Sequence, residues 1–175
     1  INIAAEYCSR VLLLKDGTYL KLFRVKRLIS SALFIPYAKR FAKNASKLQK
    51  LGIPTVVMLN TYKIPSIRRT AVHYSPLTGT TLRKLPNGID AIMAERLGKF
   101  IRELHDKGVY FRSLHFGNIV LTPENRLGLI DISDMKIYRK PLSKWLRKRN
   151  FQHLARYQDS KLQSKALFAG YESKN

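Results

Sequence analysis

Residues 110–134 read YFRSLHFGNIVLTPENRLGLIDISD. A polar loop from Tyr110 to Asn118 runs into the short apolar segment Ile119-Val120-Leu121. A Pro123-Glu124-Asn125 turn reverses the chain, and a second apolar run, Leu127 to Ile130, returns. Two such runs bounded by turn residues predict a small β-hairpin. The hairpin puts a polar residue at one end of each strand, Asn118 at the mouth of the first and Asp131 at the end of the second, thirteen residues on. An amide oxygen and a carboxylate are hard donors of the kind Mg²⁺ takes along with nucleotide phosphates. Equally, Asn118 could cap a turn and Asp131 could pair with one of many nearby bases.

Outward from this hairpin the chain has two characters. Upstream, Ile89, Ile92, Met93, Leu97, Phe100, Ile101 and Leu104 recur on one face of a helix over 89–106, which ends at Gly108. In the N-terminal half, RVLLL (10–14) and TYLKLFR (18–24) flank Lys15-Asp16-Gly17, and Asp-Gly between apolar runs predicts a hairpin turn. Leu33, Tyr37, Phe41, Leu48 and Leu51 fall at helical spacing over 30–51, with a break near Pro36 and a stop at Gly52 and Pro54. TVVMLNTY (55–62) and TAVHY (70–74) read as strands with Pro65 between them, and Pro76 and Gly79 mark the change of character. Downstream, 143–168 reads as helical, with Trp145, Leu146, Phe151, Leu154 and Tyr157 as candidates for burial. The expected fold is α+β. Residues 1–76 form a small antiparallel sheet with one helix, and 77–175 form a mainly helical part with a long helix, the polar loop, the hairpin and basic C-terminal helices. A length of 175 residues suits one domain or a small two-lobed unit.

Charge narrows the function classes. Hydrophobic residues at 45% and charged residues at 25% exclude a disordered, collagenous or coiled-coil chain. The 33 Lys+Arg against 11 Asp+Glu leave +22, more imbalance than solubility needs, which implies an anionic partner: phosphate, nucleic acid or acidic lipid. From Gly17 to Ile89 there is no acid but fourteen bases, and a second basic block, Lys136 to Arg156, contains KWLRKRN. Cys8 stands alone, so no internal disulfide or CxxC metal site is available, and a reducing compartment such as the cytoplasm fits. No apolar run approaches the ~18 residues of a membrane span. INIAAEYCSR lacks the pattern of an export signal, and its lack of an initiator Met fits a piece of a longer chain.

The order of elements and the loop motif together resemble the protein-kinase-like superfamily, and within it the lipopolysaccharide core (heptose/Kdo) kinases and the related toluene-tolerance proteins of Gram-negative bacteria. The resemblance runs from about Val11 to about Tyr157. Ser113-Leu114-His115-Phe116-Gly117-Asn118 fills the frame Asp-Leu-Lys/His-x-x-Asn of the kinase catalytic loop, and Asp131 stands at the spacing of the metal-binding Asp. The Leu-His-x-Gly-Asn form is that of small-molecule and lipid-sugar kinases. The resemblance implies ATP and Mg²⁺ as cofactors, with Asn118 and Asp131 as metal ligands. Lys21 would be the phosphate-pairing lysine, with Lys26 and Arg27 as rivals, and Val72 to Leu77 the strand leading into an interlobe hinge where backbone groups meet adenine.

Three departures accompany it. Ser113 stands where the family has the Asp that takes the acceptor proton, and a serine is no base at pH 7; His115 is the available substitute. The helix over 30–51 contains no acid, so the usual glutamate partner of Lys21 is missing, and Asn44 is the nearest stand-in by position. Residues 1–17 offer only Gly17 in place of a Gly-rich phosphate loop.

The implied activity is ATP-dependent phosphoryl transfer to a sugar hydroxyl on a lipid-linked saccharide, with Ser113 or His115 facing the acceptor. The acceptor would be a lipopolysaccharide core met at the cytoplasmic face of the inner membrane, where the basic surface and the Trp145-Leu146 pair would lie against anionic lipid. On that reading Asp131→Ala should abolish transfer and leave metal-free stability nearly unchanged. A kinase-like binding protein without turnover, taking nucleotide or anionic lipid, is the alternative that the departures favour, although the intact Asn118 and Asp131 speak against it. Nucleic-acid binding follows from the basic surplus and from aromatic residues beside bases (Phe23-Arg24, Tyr62-Lys63, Tyr138-Arg139), but no helix-turn-helix, zinc-finger or RNP1 signature supports it.

Overall fold

Asp16 and Gly17 turn the chain between β1 (Arg10–Leu13) and β2 (Tyr19–Arg24), as Asp-Gly predicts. Gly17 takes a left-handed φ of 80°, and the Asp16 carboxylate accepts from the Thr18 backbone N–H and hydroxyl. The computed structural model describes residues 10–24, 36–155 and 161–173. The expected start of the first helix over 30–35, the phosphate candidates Lys26 and Arg27, and Tyr157 lie outside the described residues. The architecture is α+β, with four α-helices and antiparallel sheets among the described residues. The chain divides into two compact units, Ile1–Leu77 with Asp131–Asp134, and Thr78–Ile130 with Met135–Asn175.

The first unit is a four-stranded antiparallel sheet in the order β1-β2-β4-β3, with β3 spanning Val57–Ile64 and β4 Arg69–Ser75. The third strand begins two residues later than its composition suggests and runs on to Ile64. Thr55 and Val56 are buried before the ladder starts, and Pro65, which has no N–H to donate, ends it. Helix α1 (Tyr37–Lys50) follows Pro36 and buries Ala38, Phe41, Ala45 and Leu48, a stripe at 3.6-residue spacing. Side chains alternate along β2, so Tyr19, Lys21 and Phe23 share a face. The Phe41 ring lies 6.2 Å from that of Phe23 and 5.2 Å from that of Tyr74, while Tyr19 stacks on Tyr74 at 5.9 Å. This aromatic layer is the core of the unit.

In the second unit, helix α2 (Ala91–Asp106) begins two residues later than expected because Asp90 is its cap, accepting from the Met93 N–H at 2.7 Å. Leu97, Ile101 and Leu104 are fully buried, but Ile92 is exposed. Ile92 lies nine residues before Ile101, half a revolution away at 3.6 residues per turn. The hairpin forms as read, with β7 (Ile119–Leu121) antiparallel to β8 (Leu127–Leu129) and Asn125 left-handed in its turn. A short strand β5 (Thr80–Thr81) adds to β7, and β6 (Val109–Tyr110) pairs with β9 (Lys136–Ile137). The expected C-terminal helical stretch is two helices, α3 (Lys144–Ala155) and α4 (Lys161–Glu172). Leu154 is buried as expected, whereas Trp145 is exposed and its ring carries the Arg149 guanidinium at 5.2 Å, one helical turn on. Helices α2 and α4 cross at two glycines, Gly98 and Gly170. Among the described residues no helix is long and apolar enough to cross a membrane.

Candidate functional site

In the first unit the sequence candidates Lys21 and Asp131, 110 residues apart, form one ion pair. The Lys21 Nζ lies 2.6 Å from Asp131 Oδ1. Lys21 sits at the middle of β2, opposite Val11 and Val72 in the neighbouring strands, and is only 5% exposed. Its ammonium also lies 5.7 Å from the Phe23 ring and 5.9 Å from the Phe41 ring. A buried ammonium needs a counter-charge. Because α1 has no acid to offer, that charge comes from Asp131.

Asn44 does not serve as the stand-in for the missing glutamate. Its amide donates to the Ile132 carbonyl at 2.7 Å and so ties α1 to the segment that carries Asp131. The expectation that Asp131 is dispensable for metal-free stability is corrected by the same geometry, since its carboxylate neutralises a buried lysine. Asp131 has φ 51°, a left-handed conformation that costs most residues about 1–2 kcal/mol and that Asp tolerates better than others. Strain of this kind at a charged, half-exposed side chain is typical of functional positions. Nearby, burial pushes the Tyr74 phenol up to about 12, with the Asp131 charge and Tyr19 adding to it, so Tyr74 is a neutral packing group. His73 is half-buried and meets Thr18 through Nε2 at 2.7 Å.

In the second unit the polar loop is built largely on its own backbone. Leu114 N–H donates to the Phe111 carbonyl and Asn118 N–H to the His115 carbonyl. The Asn118 side-chain amide donates to the Ser113 carbonyl at 3.0 Å, which fixes the amide plane and turns its oxygen the other way. The Asn118 carbonyl accepts from Ile130 N–H, and Asp131 is the next residue in the chain. His115 Nδ1 accepts the Gly117 N–H at 3.1 Å. With that lone pair engaged, a neutral His115 carries its proton on Nε2 and is a donor there; it can take up a proton only by releasing Gly117.

Beneath the loop lies a polar chain that composition and spacing left unassigned. Asn150, 1% exposed, donates to the Phe111 carbonyl at 2.7 Å and accepts from His105 Nε2 at 3.2 Å. His105 Nδ1 then accepts from the Tyr171 hydroxyl at 2.8 Å, and Tyr171 accepts from Arg147, which also reaches Asp106 at 2.7 Å. Only neutral His105 can donate to Asn150 while accepting from Tyr171. Burial drives its pKa down to about 4, with the Arg147 charge adding, against opposing effects of Asn150 and Asp106. The available signal was its place four residues after Ile101, on the buried stripe of α2.

The pH consequence has a definite sign. Between the unfolded pKa of 6.5 and the folded value of about 4, the unfolded chain binds the extra proton, so stability rises with pH across that window and falls on acidification. Up to about 3 kcal/mol is expected to be lost between pH 6.5 and 4 from this group. Thermal melts across that range should show it. In His105→Gln, whose amide can both donate and accept, the slope should flatten; an unchanged slope would assign the loss to other groups.

Among the described residues there is no group of three His, Cys, Asp or Glu that could hold a metal ion. Of the two expected metal ligands, Asp131 belongs to the first unit, where it pairs with Lys21, and Asn118 to the second, where its amide donates to the Ser113 carbonyl. No protein-family model matches the chain, and no curated protein matches it.

Proposed function

We propose that the chain is an ATP-dependent phosphotransferase of the two-lobed protein-kinase-like type, resembling the lipopolysaccharide core kinases, and that it transfers phosphate to a sugar hydroxyl on a lipid-linked saccharide. The observation that carries this reading is the Lys21–Asp131 pair. Two residues chosen separately from the sequence, one for phosphate and one for metal, meet at 2.6 Å although 110 positions apart. In the reaction the acceptor oxygen bonds to the γ-phosphorus, the bond from that phosphorus to the β–γ bridging oxygen breaks, and ADP leaves. Lys21 holds phosphate oxygens. Asp131 would hold Mg²⁺, which would supply charge neutralisation for the phosphates, and the kinase resemblance gives Asn118 as the second ligand. Ser113 and His115 lie on the acceptor side, where the acceptor proton passes to His115 once Gly117 releases its Nδ1, or to water. General-base help contributes only about 10²–10⁴-fold, so Ser113 in place of Asp implies a slow enzyme. The exposed Lys144, Lys148 and Arg149 around the exposed Trp145 on α3 suit an anionic, lipid-borne acceptor at the cytoplasmic face of the inner membrane.

A second reading, a nucleotide- or anionic-lipid-binding protein without turnover, is favoured by one feature, the engagement of the His115 lone pair with Gly117. A thermal melt with Mg²⁺ and ATP followed by a transfer assay separates the two. Ligand at 100 times its Kd should stabilise the protein by about 2.7 kcal/mol. Stabilisation with phosphate transfer to a core saccharide supports the enzyme, stabilisation without transfer supports the binding protein, and no stabilisation sinks both as nucleotide readings.

A further inference from the structure

We propose that the turn joining β3 to β4 is a docking tip that inserts its aliphatic side chains into an anionic lipid bilayer surface. The inference is independent of the phosphotransferase reading and uses none of the residues assigned to that site. The tip is a single 3₁₀ turn, Pro65–Ile67, closed by the Arg68 N–H donating to the Pro65 carbonyl at 3.0 Å. Three of its features are unfavourable in the free protein. Ile67 is 54% exposed, beside an exposed Pro65 and Ser66, at a place where turns ordinarily carry polar residues. Arg68 holds a left-handed φ of 50°, which glycine or asparagine adopts more readily. Arg69 stands directly across from Arg24 of β2, and like charges so placed repel. Lys63, exposed on β3 across from Thr70, adds a fourth base. Among the described residues none of these four bases takes part in an ion pair, and the sequence has no acid from Gly17 to Ile89.

An anionic bilayer answers all three. Lipid phosphates neutralise the bases and relieve the repulsion between Arg24 and Arg69. Pro65 and Ile67, at the turn itself, enter the acyl boundary, where their apolar area leaves water. Tyr62 is 42% exposed and lies three residues back along β3, about 10 Å at the rise of a strand, so its ring meets the headgroups when the turn is inserted. A nucleic acid would satisfy the bases but has no use for the tip, because proline and isoleucine offer it neither a donor nor a ring on which a base stacks. Arginine in a conformation that favours glycine, next to an isoleucine in solvent, is the combination that a lipid surface repays.

The test uses the full chain with Trp145→Phe and Ile67→Trp, which leaves its single tryptophan at the turn. On vesicles of phosphatidylcholine mixed with phosphatidylglycerol the emission should shift to the blue and be quenched by bromine on the upper acyl chain; on phosphatidylcholine alone it should do neither. Sedimentation with the mixed vesicles measures the two contributions separately. Ile67→Ser should weaken binding about tenfold, and Arg68→Gly about fivefold. Arg68→Gly should also melt at or above the wild-type temperature, since it relieves the left-handed strain, so its loss of binding is not a loss of fold. A tip tryptophan that stays in water on the mixed vesicles, wild-type binding by both single variants, or a blue shift with single-stranded RNA and none with vesicles overturns the proposal. The proposed phosphotransfer stands or falls separately, on the Mg·ATP melt and transfer assay.

Discussion

Asp131→Ala is expected to lower the melting temperature in metal-free buffer by roughly 4–8 °C and to reduce Mg·ATP-dependent transfer by at least about a thousandfold. The stability term follows from Lys21. Deleting one partner of a buried ion pair typically costs about 3–5 kcal/mol because the other charge is stranded. Here Asp131 is half exposed, at 48%, and water at its side of the pair reduces the loss to about 1–3 kcal/mol. At about 2–4 °C per kcal/mol for a chain of this size, the middle of that range gives the stated shift. The activity term follows from charge: a missing metal carboxylate removes several kcal/mol of phosphate neutralisation, and each ~1.4 kcal/mol is a factor of ten. Both effects from one substitution would leave structural and chemical roles entangled. The double variant Lys21→Met/Asp131→Ala separates them, because it removes the stranded ammonium as well. It should melt within about 1 kcal/mol of wild type and remain without transfer. A double variant as unstable as the single one would mean that the carboxylate supports something other than Lys21, and a stable Asp131→Ala would mean that Lys21 finds another counter-charge.

Which parts of this were legible in the chain depends on how local their causes are. The hairpin over 119–129 and the Asp16-Gly17 turn are specified within a dozen residues by apolar runs and turn chemistry, and they form as read. Lys21 and Asp131 were each visible as candidates. Their pairing was not, because it depends on a sheet face and a post-hairpin segment coming together over 110 residues, which no local period encodes. His105 illustrates a different limit. Its place on the buried stripe of α2 is in plain sight, but its partners are Asn150 on α3 and Tyr171 on α4, and Tyr171 lies beyond the helical stretch expected over 143–168. Trp145 was misread for the reverse reason: a large aromatic among bases looks like core, yet the flanking charges keep that turn of α3 in solvent.

The largest effect on stability is expected where helix propensity gives the wrong sign. Gly98 lies inside α2, where alanine is ordinarily better by about 1 kcal/mol, so Gly98→Ala would stabilise an isolated helix. In the folded unit a Cβ at Gly98 would stand 2.0 Å from the Leu167 carbonyl oxygen and 2.7 Å from the Tyr171 backbone nitrogen. The partner helix meets the same limit, since a Cβ at Gly170 would stand 2.0 Å from the Glu95 carbonyl oxygen. These obstacles are backbone atoms, which cannot swing aside as a side chain would, so α2 and α4 must separate by more than an ångström. Interiors are too closely packed to absorb such a shift, and overpacking of even ordinary sites costs about 1–3 kcal/mol. Separation would also uncover Leu167, which is 2% exposed, and draw the Tyr171 hydroxyl away from His105. We therefore expect Gly98→Ala to lose about 3 kcal/mol or more, a fall of roughly 6–12 °C. It should also weaken the pH dependence between 6.5 and 4, because an imidazole parted from Tyr171 and reached by water no longer resists its proton. Gly170→Ala should match it, and the two together should cost less than their sum, since one separation relieves both clashes. A Gly98→Ala protein that melts at or above the wild-type temperature would show that α4 does not lie against α2 at these glycines, and the support assigned to His105 through Tyr171 would fall with it.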